Sequence, residues 1–358
     1  MVTGAGNTAV GAQAAERSTG DRNTALGFSA LNGVSTGQWN TATGSEAMLR
    51  FNGNDNTANG YVALSGLGGG NQNTAIGAYA LQGFVFSRID LEHRNSGSFN
   101  TATGAHALES VDTGSSNTAT GVNALARNTD GVQNTANGID ALRSVSTGFR
   151  NTALGAGAGQ NITTGSDNIT IGAEVNGLAA QNGAIRIGIS SHQKKAFIAG
   201  IRGVTTGLSN ATAVFIDGNG QLGTINSSRE VKEEIQPMGS VSDRLLALRP
   251  VTFRYKEAYE DGSKPIEFGL IAEEVAEAFP ELVVYDAEGK PETVRYNLVA
   301  TLLLNEFQKE LVTVQAQAER IAVLERQAIE LAQLKEQVTR MAQVINKMDH
   351  AQMVAATQ

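Results

Sequence analysis

The 358-residue chain contains no cysteine, which excludes disulfide bridges and thiolate metal sites. Proline is missing from its first two thirds: all five prolines follow Ser227, whereas only four of the 41 glycines do. Lysine does not occur before Lys194, and Trp39 is the single tryptophan. The longest apolar run, "LVATLLL" at residues 298–304, is far shorter than the roughly 18 residues that span a bilayer, so no membrane insertion is expected. The opening "MVTGAGNTAV" has neither the basic region nor the apolar core of a signal peptide. Basic charge is also scarce. A pI near 5.2 leaves no counterion-releasing surface, so no nucleic-acid partner is expected. The four histidines, His93, His106, His192 and His350, have no ligand spacing, and neither a metal nor another cofactor is expected.

What is present is divided in two. Residues 1–226 carry 12 basic and 13 acidic groups, and residues 227–358 carry 15 and 22, so nearly all of the net −8 lies in the second part. The first part is a repeat. "NTAVG" begins at Asn7, and related pentapeptides begin at Asn23, Asn40, Asn56, Asn73, Asn100, Asn117, Asn134, Asn151 and Asn168, with "AIRIG" (residues 184–188) as a degraded last copy. The steps are 16 or 17 residues, except one of 27 that holds an insertion at residues 82–94. Asn, Thr and Gly make poor helix interiors, and no 3.6-residue apolar spacing occurs. A period of this length suits one coil of a β-solenoid whose Asn and Thr side chains stack into hydrogen-bonded ladders. At about 4.8 Å per rung, ten rungs give a rod of about 50 Å. Each coil offers little beyond alanine and one leucine to bury, so association of three chains is expected. The insertion gathers Phe, Arg, Asp, Glu and His and reads as a tolerated loop or a receptor contact, with Asp90 and Glu92 as solvated charges. "GLGGG" at residues 66–70 lacks the Lys-Ser/Thr of a phosphate loop and reads as a turn.

After the repeats, "KAFIAGIRGV" and "TAVFIDGNGQLGTI" alternate as strands, the second around a "DGNG" hairpin turn. "SVSDRLLALRP" reads as a helix capped by Ser242. "VTFRYK" reads as a strand, and "IEFGLIAEEVAEAFPELVVYD" as strand, helix, proline break and strand. A further strand precedes a long helix from Leu298, with apolar residues at steps of 3 and 4 from Phe307 to Met348, the signature of a coiled coil.

"TINSSREVKEEI" at residues 224–235 holds the one candidate for chemistry. It reads as a helix start capped by Ser227 with Glu230 closing a capping box, or as a serine–lysine pair. On a regular helix Ser228 and Lys232 share a face, whereas Ser227 lies about 140° from Lys232 and reaches it only if the chain bends back from the cap position. A lysine acts as base when burial favours its neutral form.

The repeats, over residues 5–190, resemble the head repeats of trimeric autotransporter adhesins and the shaft repeats of bacterial and phage tail fibres, which implies a trimeric β-roll or interleaved β-helix. "SSREVKEEI", "LLALRPVTFRYK", "FGLIAEEVAEAFPELV" and "VRYNLVATLLLNEFQKEL", in this order, are similar to the C-terminal intramolecular chaperone of phage tailspikes and endosialidases over residues 227–315. That resemblance implies a homotrimer whose chaperone cuts itself off, with Ser227 as nucleophile, Lys232 as base and the bond between Asn226 and Ser227 as the one broken; Ser228 is the alternative nucleophile. It further implies a place in a virion tail facing a host-surface carbohydrate or other receptor. The competing expectation is a non-enzymatic trimeric adhesin on a bacterial surface. The expected organisation is therefore a mainly β solenoid at residues 1–190, a β neck at 191–226, an α+β chaperone and autoprotease at 227–304, and a coiled-coil helix with its tail at 305–358.

Overall fold

The computed structural model describes residues 4–356 other than 34, 67 and 84–95, with side chains of the last helix described as far as Met348. The insertion expected at residues 82–94, with Asp90 and Glu92, lies outside the described residues except for Gln82 and Gly83. The chain forms two compact units, Met1–Val204 and Thr205–Gln358.

The first unit is a β-solenoid with one three-residue strand per coil: β1 (Thr8–Val10), β2 (Thr24–Leu26), β3 (Thr41–Thr43), β4 (Thr57–Asn59), β5 (Thr74–Ile76), β6 (Thr101–Thr103), β7 (Thr118–Thr120), β8 (Thr135–Asn137), β9 (Thr152–Leu154), β10 (Ile169–Ile171) and β11 (Ile185–Ile187). All pair in parallel and in sequence order, threonine on threonine and alanine on alanine from β2 to β9. The alternation of a strand places the central alanine inside, at most 1 % exposed from Ala25 to Ala153, and its two neighbours outside. The strand across the insertion stays in register, Ala75 on Ala102.

A second ladder runs along the Ala-Leu part of each coil. Leu108, Leu125 and Leu142 donate their N–H to Ala124, Ala141 and Ala158 of the next coil at 2.9–3.0 Å, and their side chains are fully buried. These leucines have φ of 48–52°, a left-handed backbone that costs about 1 kcal/mol or more per residue and persists here because ladder and burial both require it. Glycine ends each strand for a steric reason. At Gly121, φ is 130° and a Cβ would stand 2.5 Å from the carbonyl oxygen of Gly138 in the next coil.

Asparagine supplies the third ladder. Asn134 donates its backbone N–H to Asn117 Oδ1 at 2.9 Å and its amide to Gly148 O at 2.8 Å, and the same pair of bonds recurs up the column. Threonine joins in outside the strands: Thr129 and Thr163 donate their hydroxyls to Ser146 O and Ala179 O of the next coil at 3.3 and 3.1 Å, whereas from β2 to β9 the first threonine of each strand faces solvent and its hydroxyl enters no ladder among the described residues.

The second unit begins as open chain. From residue 205 to 241 nothing is buried, and only the hairpin of β12 (Phe215–Ile216) and β13 (Leu222–Gly223) is paired. Asp217 closes its turn by accepting from the N–H groups of Asn219 and Gln221, both at 2.9 Å. The stretch "KAFIAGIRGV" forms no strand, contrary to expectation; it has no partner edge in a single chain. A 3₁₀ helix (Gly239–Ala247) follows, then the antiparallel pair β14 (Val251–Phe253) and β15 (Glu267–Gly269), helix α1 (Ala272–Ala278), a 3₁₀ turn at Pro280–Leu282, the pair β16 (Val283–Tyr285) and β17 (Pro291–Val294), and helix α2 (Tyr296–Ala356). Leu245, Val275, Phe279, Leu282, Val283, Val294 and Leu302 make its small core. Beyond that core the apolar stripe of α2, from Phe307 to Met348, is 44–65 % exposed, as a coiled-coil strand is before it meets its partners.

Candidate functional site

Residues 226–232 are built by short-range polar bonds alone. Asn226 Oδ1 accepts from the N–H of Ser228 at 2.8 Å, bracketing Ser227. Ser228 caps a single 3₁₀ turn (Arg229–Val231), its Oγ accepting from the N–H of Glu230 at 3.3 Å. Lys232 closes that turn in an extended conformation, φ −123° and ψ 137°, with its N–H on Arg229 O at 3.2 Å. The cap is thus Ser228, not Ser227. The reason is that the segment begins one residue later than the capping-box spacing requires, because the Asn226 side chain has already captured the Ser228 N–H.

This local geometry bears on the two candidate nucleophiles. The case for Ser228 needs an α-helix that puts it above Lys232, and the helical turn stops after three residues. Its oxygen also accepts from the N–H of Glu230, which ties one lone pair to the turn. The Ser227 hydroxyl has no hydrogen-bond partner among the described residues. No bond joins either serine to Lys232; all three are exposed, and the single chain does not bring the pair together. Val231 and Ile235, on either side of Lys232, are also exposed, at 61 % and 52 %.

A second serine–lysine meeting had no sequence signal, since its members are 67 residues apart. Ser242 does not cap the Gly239–Ala247 helix, whose cap position, Met238, makes no side-chain bond. It is instead fully buried against α2, accepting from Asn305 Nδ2 at 2.5 Å and from Lys309 Nζ at 3.4 Å. Asn305 Nδ2 also reaches Gly239 O at 2.9 Å, and Lys309 Nζ pairs with Asp243 and, at 2.5 Å, with Glu306. Hydrogen bonds to Asp243 first and Glu306 second raise the Lys309 pKa above the ordinary lysine value. Bonds from Lys309 and Ser242 lower that of Glu306. A lysine held charged by two carboxylates is a poor base, so proximity to a serine does not make this pair catalytic.

An apolar cavity of about 540 Å³ lies between the Gly239–Ala247 helix, the β14–β15 pair and the start of α2, walled by Leu248, Val251, Phe268, Tyr296, Val299 and Leu303. Its one ionisable lining side chain is Tyr296, whose hydroxyl accepts from the N–H of Leu270 at 2.8 Å. No helix among the described residues is long and apolar enough to cross a membrane.

Residues 227–284 match a peptidase-family model described as chaperone of endosialidase. No curated protein and no solved structure matches the chain. The matched segment starts at Ser227 and runs through β14, β15 and α1 into β16, covering the last part of the open segment and most of the small core. With a β-solenoid of about ten coils before it and a long helix after it, the match fits a tailspike or endosialidase chaperone architecture. It supports a tail-fibre-type intramolecular chaperone, and the family it names suggests autoproteolytic peptidase activity.

Proposed function

We propose that the chain is a phage-type tail fibre whose second unit aligns three copies and then cuts itself off between Asn226 and Ser227, leaving the solenoid as a trimeric rod for attachment to a host surface. The observation that carries this reading is the family match beginning at Ser227, placed directly behind a solenoid with so thin an interior.

The chemistry follows from the position of the bond. Ser227 Oγ attacks the carbonyl carbon of Asn226 while Lys232 Nζ takes the hydroxyl proton. The five-membered intermediate collapses by breaking the bond from that carbon to the Ser227 nitrogen. The nitrogen takes up a proton, and the Asn226 acyl group is left as an ester on Ser227 Oγ. Water then hydrolyses the ester, leaving a carboxylate on Asn226 and a free hydroxyl on Ser227. Lysine can accept a proton only when uncharged, a form that burial favours. Lys232 is exposed in the single chain, so cutting awaits cover. Val231 and Ile235 supply apolar surface on both sides of it for a neighbouring copy to close over. Assembly would therefore precede cutting, and loss of the helper would leave the rod protected by its barrier to unfolding.

Freshly made protein run on a denaturing gel beside Ser227→Ala, Ser228→Ala and Lys232→Ala tests the reading. The parent and Ser228→Ala should give two fragments, the smaller beginning at Ser227, and the other two variants a single full-length band. An intact parent would reduce the second unit to a passive trimeriser, as a surface adhesin requires. Fragments from Ser227→Ala but not from Ser228→Ala would move the nucleophile.

A further inference from the structure

Nothing between residues 205 and 241 is buried, so the place of Lys232 in space is set by the first points at which the chain is held, Met238 packed against the core and Ser242 within it. Six residues separate Lys232 from Met238, at most about 20 Å of extended chain. The hold itself is polar. Gly239 O, Ser242 Oγ and the Asp243 carboxylate all face Asn305 and Lys309, one turn apart on the same side of α2. Leu298 and Leu302 extend this gripping side toward the helix start and pack in the core.

The opposite side of the same turns is unused. Leu303, Phe307 and Val314 lie roughly 160–200° around α2 from Asn305 and Leu311 about 240°, and all four are 44–62 % exposed. The first turns of α2 therefore face a neighbouring copy on one side and hold the root of the cleavage segment on the other. A buried polar contact is the right kind of hold for this purpose. Apolar surfaces tolerate sliding, whereas a displacement of the short helix by one turn would strip the buried Ser242 hydroxyl of both partners, while the half-buried Asn305 and Lys309 would fall back on water and Glu306.

We propose that Ser242, Asn305 and Lys309 form a clamp that transmits the assembly of α2 to the cleavage segment, as positioning residues for Lys232. The inference rests on the self-cleavage reading given above. Ser242 is fully buried and Lys309 is held by two carboxylates, so neither takes part in bond breaking. The clamp fixes where the segment hangs once three α2 helices have fixed one another.

Cell-free synthesis of the full chain with timed sampling tests this, using Ser242→Ala, Asn305→Ala and the conservative Lys309→Arg. Sedimentation should give a trimer for all three. Cutting should slow at least tenfold in the two alanine variants and stay within about twofold of the parent in Lys309→Arg. The midpoint of the pH–rate profile should not move in any of them, because the base is unchanged. Alanine variants that form trimers and cut at the parental rate overturn the clamp. So does loss of the trimer in every variant, which would make these residues mere supports of the fold. A shifted midpoint also overturns it, by giving Lys309 a part in proton transfer. An uncut parent sinks the self-cleavage reading itself and is seen before any variant is scored.

Discussion

The two units satisfy their groups in opposite ways. In the solenoid each coil finds its partners in the coils above and below: strand on strand, leucine N–H on alanine carbonyl, asparagine on asparagine and glycine. Its interior is thin but closed. In the second unit seven residues make the core, while Phe268 is 80 % exposed, Leu246 is 78 % exposed and the whole apolar stripe of α2 faces water. One part satisfies its polar groups along its own axis, and the other leaves most of its apolar side chains exposed.

Four experiments would break or sharpen that contrast. The largest effect is expected on α2. Leu331→Asp would bury three carboxylates in the seam of a trimer, and self-association should fall below detection in sedimentation while each unit keeps its circular dichroism. A trimer of normal strength would show that α2 is not the gathering element. Next comes Asn117→Ala, which orphans the buried N–H of Asn134 and removes one of two donors from the carbonyl of Gly131, which keeps Asn128 Nδ2 at 3.0 Å. At roughly 1–3 kcal/mol for the one orphaned group, the rod should lose about 1–3 kcal/mol in denaturant unfolding. A loss under 1 kcal/mol would mean that the column is ornamental. Gly121→Ala should cost the rod about 1–3 kcal/mol by forcing a side chain into a left-handed backbone against Gly138. An unchanged unfolding midpoint would argue that the coils are further apart than described.

The smallest effect is that of acid. Glu281 is held below the usual carboxylate range first by its bond to Arg244, Glu306 by Lys309, and Asp261 by Ser263, whereas in the rod only Asp167, bonded to Arg150, is depressed among the described residues. Carboxyls whose folded pKa is depressed contribute stability above their unfolded values near 4, and that contribution is lost as pH falls through the folded value. The second unit should therefore loosen before the rod between about pH 4 and pH 2. The shift should be modest and salt-weakened because these groups are exposed. Monitoring the rod by the fluorescence of Trp39, the single tryptophan, and the second unit by the circular dichroism of its long helix separates the two, and a rod that yields first contradicts the prediction.

Much of the rod was legible because a fixed step of 16 or 17 residues can only stack like on like. The period gave register, strand identity and the survival of the pattern across the insertion. It could not say which polar column closes, since Asn and Thr recur with equal regularity. That depends on which side of a three-residue strand each one takes. In the second unit the strands, the proline break and the long helix were readable from alternation and spacing. The part that failed was Ser242. Local capping rules made it a helix start, and its real partners stand at Asn305 and Lys309, beyond any local signal. The candidate dyad was legible as residues but not as a geometry, because Ser227 and Lys232 are both exposed and no bond joins them in the single chain.

The asparagine column also has a direction. Each side-chain oxygen in it serves the coil that follows, and so does each amino group, which at Asn134 and Asn168 also reaches back to the asparagine before: Asn134 offers its oxygen to the N–H of Asn151 and its amino group to the carbonyl of Gly148, and Asn168 does the same for Ala184 and Gln181. Each finished coil is thus a mould for the one after it, with both polar contacts waiting before the new residues arrive. The ribosome delivers the coils in that same order, so the fibre can be laid in courses from its first-born end.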